Sequence, residues 1–213
     1  MAPRFDPSVY LVTDPVLSGA RGVLARVEAA VAGGVTLVQL RDPQSGTRAL
    51  VETARALVAL LRPLGIALIV NDRVDVALAA DADGVHVGQG DMRPADARAL
   101  IGPDRILGLS ITAPEEMHAG DLASVDYLGV GPIYPQATKP DAAPPIGPGG
   151  LAAIRAATRL PIVAIGGVGI GNGAALLAAG ADGLCVVSAI MAAADPGRAA
   201  AELAALVAEA RRC

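Results

Sequence analysis

The chain has 213 residues, 53% of them hydrophobic and only 2% aromatic, and a formal net charge of -4. No basic tract and no set of aromatic stacking platforms is present, which excludes the usual footprint of a nucleic-acid binder. No apolar run approaches the roughly 18 residues of a membrane span, and residues 1–7 lack the apolar core of a signal peptide, so a cytoplasmic protein with no membrane partner is expected.

In chain order, short apolar runs recur at residues 9–12, 36–40, 67–70, 84–87, 106–109, 127–130, 162–165 and 184–187. Most are nearly continuous in Val, Ile and Leu, the pattern of parallel strands buried on both faces. Helical patterns lie between them. Residues 24–32 end in Gly33-Gly34, a helix stop. Leu50, Ala54, Leu57, Val58 and Leu61 form one apolar stripe that ends at Pro63 and Gly65. A short helical turn is expected between Asp72 and Gly84. Segments 94–101 and 114–119 each open with Pro, which suits a first helical position, and segments 151–157, 174–179 and 196–210 complete the set. Strand then helix, repeated eight times over about 200 residues, predicts an α/β protein: a single-domain (β/α)8 TIM barrel spanning residues 1–213. A doubly wound sheet would need a glycine fingerprint after its first strand. Thr13-Asp14-Pro15 stands there instead and reads as a simple turn without chemistry.

Such barrels build their sites at the C-terminal ends of the strands. Gln39, Arg41 and Asp42 follow the second strand, Asn71 and Asp72 the third, Gln89 and Asp91 the fourth, and Ser110 the fifth. Residues 131–150 form a long loop after the sixth strand, the length of an active-site lid; it carries Gln136, Thr138 and Lys139. Gly166-Gly167-Val168-Gly169 follows the seventh strand and Ser188 the eighth, where barrels commonly bind phosphate.

Asp72 and Asp91 emerge from neighbouring strands. Taken alone they are either two solvated loop acids or the carboxylates of a divalent-cation site, since Mg²⁺ takes one or two carboxylates together with substrate phosphates. Arg41 and Lys139 at strand ends opposite them point to a polyanionic ligand. Cys185 reads as a small buried hydrophobe and Cys213 as a tail thiol. His86 and His118 are too isolated for a zinc site. No Ser-His-Asp or Cys-His arrangement offers a covalent nucleophile.

Taken in order, Gln39-Leu40-Arg41-Asp42, Asn71-Asp72-Arg73, Gly84 to Asp91, Gly108-Leu109-Ser110, Gly131-Pro132-Ile133-Tyr134-Pro135, Thr138-Lys139-Pro140-Asp141 and Ala164-Ile165-Gly166-Gly167-Val168 resemble the thiamine-phosphate synthase family in order, spacing and strand position. The resemblance covers essentially the whole chain. It implies a transferase of thiamine biosynthesis with two small-molecule substrates, a hydroxymethylpyrimidine pyrophosphate and a (carboxy)thiazole phosphate, joined with release of pyrophosphate. By the same resemblance Asp72 and Asp91 would bind Mg²⁺, and Arg41, Asn71, Ser110 and Lys139 would hold the pyrimidine pyrophosphate with Gln39 beside them. Gln136, Thr138, Gly167, Val187 and Ser188 would take the thiazole phosphate, and Arg41, Ser110 and Lys139 would act in catalysis.

Two positions depart from the family pattern. Gln136 stands where a threonine is usual, and Pro43 where a lysine is common, which bears on substrate affinity and leaves the metal ligands untouched. The related thiazole tautomerases use a histidine after the sixth strand, where this chain has Gly131-Pro132. A non-catalytic precursor-binding protein would not need two carboxylates. No feature of the sequence sets an interface, and a homodimer stays open.

Overall fold

The computed structural model describes residues 5–139 and 142–212. The apolar runs become β1 (Val9–Val12), β2 (Leu37–Leu40), β3 (Ala67–Asn71), β4 (Gly84–Val87), β5 (Ile106–Ile111), β6 (Tyr127–Val130), β7 (Ile162–Ala164) and β8 (Gly183–Val186). All neighbours pair in parallel, in sequence order, and β8 closes on β1 as a barrel. The (β/α)8 TIM barrel expected from the alternation is therefore the fold.

The helices are α1 (Pro15–Ser18), α2 (Gly22–Ala32), α3 (Thr47–Leu61), α4 (Val74–Ala80), α5 (Pro94–Ile101), α6 (Ala119–Leu122), α7 (Gly147–Ala157), α8 (Gly173–Ala178), α9 (Ser188–Met191) and α10 (Pro196–Ala210). The stripe of α3 is buried as its spacing requires, at Leu50, Ala54, Leu57, Val58 and Leu61. Each such leucine contributes roughly 1.5–3 kcal/mol by leaving water. At α10, Pro196 occupies the first turn and Asp195 caps it, accepting from the Arg198 N–H. Among the described residues no helix is long and apolar enough to cross a membrane.

Two expectations need correction, and two short helices lie where the sequence predicts none. The helix expected over 114–119 breaks into a 3-10 turn, Pro114–Glu116, and the short α6, because Met117 and His118 leave helical geometry. α7 starts at Gly147, so the last four residues of the loop expected over 131–150 are helical. The short helices α1 and α9, at the ends of β1 and β8, carry too few residues for any periodicity to show.

Side chains alternate across the barrel wall. Val9, Leu11, Val38, Leu40, Leu68, Val70, Val85 and Val87 pack with the helices, whereas Phe5, Tyr10, Val12, Leu37, Ile69, Ile106, Tyr127, Val163 and Cys185 form a second cluster inside. Cys185 is a buried free thiol, as expected; Cys213 lies outside the described residues.

At the opposite end from the mouth, one device recurs. The residue before each of four even-numbered strands clamps the strand preceding it with a reciprocal pair of bonds. Asp83 N–H donates to Leu68 O (3.0 Å) and Asp83 Oδ2 accepts from Leu68 N–H (2.9 Å). Asp126 does the same to Leu107 (2.8 and 2.8 Å), and Asp182 to Ile162 (2.7 and 2.8 Å). Thr36 uses its hydroxyl on Val9 in the same way. Each clamp satisfies a strand-edge N–H that the ladder leaves free.

Candidate active site

The residues that follow the strands meet at the C-terminal mouth. β3 ends in Asn71, and Asp72 then turns with a left-handed backbone (φ 60°), while its N–H donates to His86 O of β4 (2.8 Å). A non-glycine residue held in that region is strained, a condition that concentrates at functional sites. The turn places the Asp72 carboxyl against that of Asp91, which follows β4. Asn71 Nδ2 donates to Asp72 Oδ2 (2.7 Å), and Asp91 Oδ2 accepts from the Gly88 N–H (2.8 Å). The Asp72 carboxyl is pushed up to about 6, first by lost hydration in the recessed mouth, then by its hydrogen bond with Asp91 and that group's negative charge; the charges of Lys139 and Arg41 oppose the shift. Asp91, Lys139 and Arg41 thus all act on Asp72 across the mouth. Among the described residues there is no cluster of three or more potential metal-ligating side chains. The donor set is a carboxylate pair, which suits a hard cation that draws its remaining ligands from water and a substrate phosphate.

Arg41 is placed by a residue read as a plain turn. The fully buried Thr13 accepts from the Arg41 N–H (3.0 Å) and donates to Arg41 O (3.2 Å), fixing the start of the β2 loop from β1. Gln39 and Ser110 point into the barrel, Gln39 donating from Nε2 to the Tyr10 hydroxyl (2.8 Å) and Ser110 Oγ lying 2.9 Å from His86 Nε2. Gln89 Nε2 donates to Ser110 O (2.8 Å), tying the β4 loop to β5.

The β6 loop is pinned at both ends. Ile133 and Tyr134 donate to Ile165 O and Gly166 O, and Ile146 and Gly147 to Pro132 O and Ile133 O. Within it the Gln136 amide organises the turn: Oε1 accepts from Thr138 Oγ1 (2.9 Å) and Lys139 N–H (2.8 Å), and Nε2 donates to Lys139 O (2.7 Å). The departure from threonine at this position therefore builds the loop that presents Thr138 and Lys139. Pro140 and Asp141 lie outside the described residues.

Gly167 turns with φ 66° beneath this loop, where a Cβ would come within 2.7 Å of Tyr134 Cβ. Asn172, which the sequence reading passed over, sets the turn by accepting from the Gly169 N–H and donating to Gly167 O (both 2.9 Å). Gly169 in turn faces Ala189, so the β7 loop adjoins α9 and the Val187-Ser188 turn. The structure thus brings the β7 turn against the β6 loop at Gly167 and against α9 at Gly169. Asn172 and Thr13 carried only a weak signal, a polar residue between two glycines and one two places before Pro15.

An acid pair with two cations acting on it, and a glycine turn beside the β6 loop, line the C-terminal mouth of the barrel, where enzymes of this fold class build their sites. The comparisons narrow that class. A family model described as thiamine monophosphate synthase matches residues 9–190. A thiamine-phosphate synthase of Xanthobacter autotrophicus is 62% identical over 99% of this chain and 100% of its own length, and one of Azorhizobium caulinodans 55% identical over 98% of each. The solved thiamine phosphate pyrophosphorylase of Pyrococcus furiosus superposes with a TM-score of 0.87 at 37% identity, covering 97% of this chain and 98% of that one. The chain belongs to the thiamine monophosphate synthase family.

Proposed function

We infer that this chain is a thiamine-phosphate synthase, a transferase that joins a hydroxymethylpyrimidine pyrophosphate to a thiazole phosphate and releases pyrophosphate. Family membership carries the activity. The observation that carries the site is the convergence of Asp91, Arg41 and Lys139 on the Asp72 carboxyl at one mouth. Asp72 and Asp91 would hold Mg²⁺, which when bound supplies positive charge to the leaving pyrophosphate.

The remaining work falls to protein groups. Arg41 and Lys139 neutralise the pyrophosphate as its bond to the pyrimidine methylene breaks, and Asn71 and Ser110 supply hydrogen bonds to it. The electron-rich aminopyrimidine spreads the resulting positive charge, and the thiazole nitrogen then attacks the freed carbon. Gln39 lines the pyrimidine side. Thr138, Gly167, Val187 and Ser188 receive the thiazole phosphate, with Gln136 shaping the loop above them. The β6 loop residues Gln136, Thr138 and Lys139 cover both ligands and keep water from the cation. No covalent nucleophile is required. His86 is sealed in the barrel and His118 is exposed beside α6, so neither stands after β6 as a tautomerase base would.

The test is direct. Purified protein with Mg²⁺ and both phosphorylated precursors forms thiamine phosphate, and EDTA stops it; no product with either thiazole form would sink the reading.

A further inference from the structure

Beneath the mouth, a continuous line of hydrogen bonds crosses the barrel interior. Gln39 Nε2 donates to the Tyr10 hydroxyl (2.8 Å), which lies 2.7 Å from the Tyr127 hydroxyl. The Tyr127 hydroxyl is 2.9 Å from His86 Nδ1, and His86 Nε2 is 2.9 Å from Ser110 Oγ. Five strands contribute: β2, β1, β6, β4 and β5. Tyr10, Tyr127 and His86 are buried, and the barrel wall is cut back to admit them. A Cβ at Gly108 would come within 2.2 Å of the Tyr127 ring and 2.4 Å of His86 Nδ1, and one at Gly129 within 2.9 Å of His86 Cε1. Interior glycine here makes room for two polar rings where apolar side chains would fill an ordinary barrel.

The proton count gives this line a direction. Each phenol has one proton to donate. With the Gln39 amide nitrogen facing Tyr10, the Tyr10 oxygen accepts and its proton goes to Tyr127. Tyr127 then gives its proton to His86 Nδ1. A neutral imidazole with Nδ1 accepting carries its proton on Nε2, and neither ring nitrogen bonds to a carboxylate that would favour the charged form. Nε2 therefore donates to Ser110 Oγ, and the Ser110 proton is left free to point at a ligand in the mouth. A phosphate oxygen only accepts, so the direction of the line matches the ligand. Reversed, it would turn the Ser110 proton into the barrel and set a lone pair against the anion.

We propose that Tyr127 and His86 are positioning residues, holding the Ser110 hydroxyl proton toward the bound pyrophosphate group. The proposal rests on the reading of Ser110 given above, and two measurements separate the two. The first is the imidazole nitrogen NMR spectrum of the unliganded protein. The chain has two histidines, of which His118 is exposed, so the His86 signals are identified by comparison with His118→Gln. The Nε2–H tautomer is expected, and the Nδ1–H tautomer or a mixture would overturn the proposal whatever the enzyme makes.

The second measurement is binding of inorganic pyrophosphate with Mg²⁺ by calorimetry. Tyr127→Phe removes the donor to Nδ1 and should weaken binding about tenfold, the scale of one misdirected buried hydrogen bond, with loss of the single tautomer. Tyr10→Phe, equally buried, breaks the line farther away and leaves the bonds from Tyr127 through His86 to Ser110 in place; its loss of pyrophosphate binding should stay below about threefold. Equal losses in both variants would mean general loosening of the core, and no loss in Tyr127→Phe would mean that Ser110 needs no such support; either overturns the proposal. Wild-type protein that bound no pyrophosphate would sink the site reading, while the tautomer would still decide the direction of the line.

Discussion

The carboxyl of Asp72 faces that of Asp91 across the gap between adjacent strands, and the hydrogen bond and negative charge of Asp91 raise the cost of ionising Asp72. The pair is favourable with a proton or a cation between its members and unfavourable with neither. That single relationship predicts how the site responds to pH and to metal.

Burial and the neighbouring Asp91 push the Asp72 carboxyl up to about 6, against an ordinary value of 3.8. A raised acid holds more protons folded than unfolded across that window, so the metal-free protein loses stability as pH rises from about 4 to about 6. Mg²⁺ must displace the Asp72 proton, so its affinity falls by up to about tenfold per pH unit below about 6. Urea denaturation at pH 5 and pH 7, with and without Mg²⁺, should show a larger Mg²⁺-induced stabilisation at pH 7. An equal effect at both would remove this pair from the metal site.

Asp91→Asn relieves the repulsion without changing size. The variant should fold at least as stably as the parent in the absence of metal, while kcat/KM falls roughly a hundredfold or more through loss of a ligand charge. Full activity in steady-state assays would refute the assignment.

Gly167→Ala places a methyl group 2.7 Å from Tyr134 Cβ and 2.8 Å from Pro135 O, at φ 66°. Both the β6 loop and the β7 turn must shift. KM for the thiazole phosphate should rise about tenfold, with Mg²⁺-pyrophosphate binding changed less than threefold. Equal losses on the two sides would mean that the whole mouth had collapsed.

Asp126→Ala tests the clamps. It strips a partner from the Leu107 N–H (2.8 Å) and from Arg98 Nη2 (2.7 Å), both partly buried. A stability loss of about 2 kcal/mol is expected from chemical denaturation, with substrate KM values nearly unchanged because the clamp lies at the far end from the mouth. A loss below roughly 0.5 kcal/mol, the scale of an ordinary surface substitution, would make the clamp incidental.

The eight strands were legible because parallel strands buried on both faces are unbroken apolar runs, and Val9–Val12, Gly84–Val87 and Tyr127–Val130 stand where the runs do. The same property hid the interior. When both faces are apolar, period two vanishes, and Tyr10, His86 and Tyr127 look like strand filler. Their partners come from strands far apart in sequence: Tyr10 and Tyr127 are 117 residues apart and His86 and Tyr127 41. Gly108 and Gly129, which make room for them, read as ordinary strand glycines.

The chain alone determined the barrel and the polar residues at its strand ends, because alternation of apolar runs and amphipathic helices is local information. Tertiary structure decided which groups face one another: Asp72 against Asp91, Thr13 beneath Arg41, and the buried line that ends at Ser110. Barrel closure sets those pairings, and it depends on every strand's register at once, which no single segment encodes.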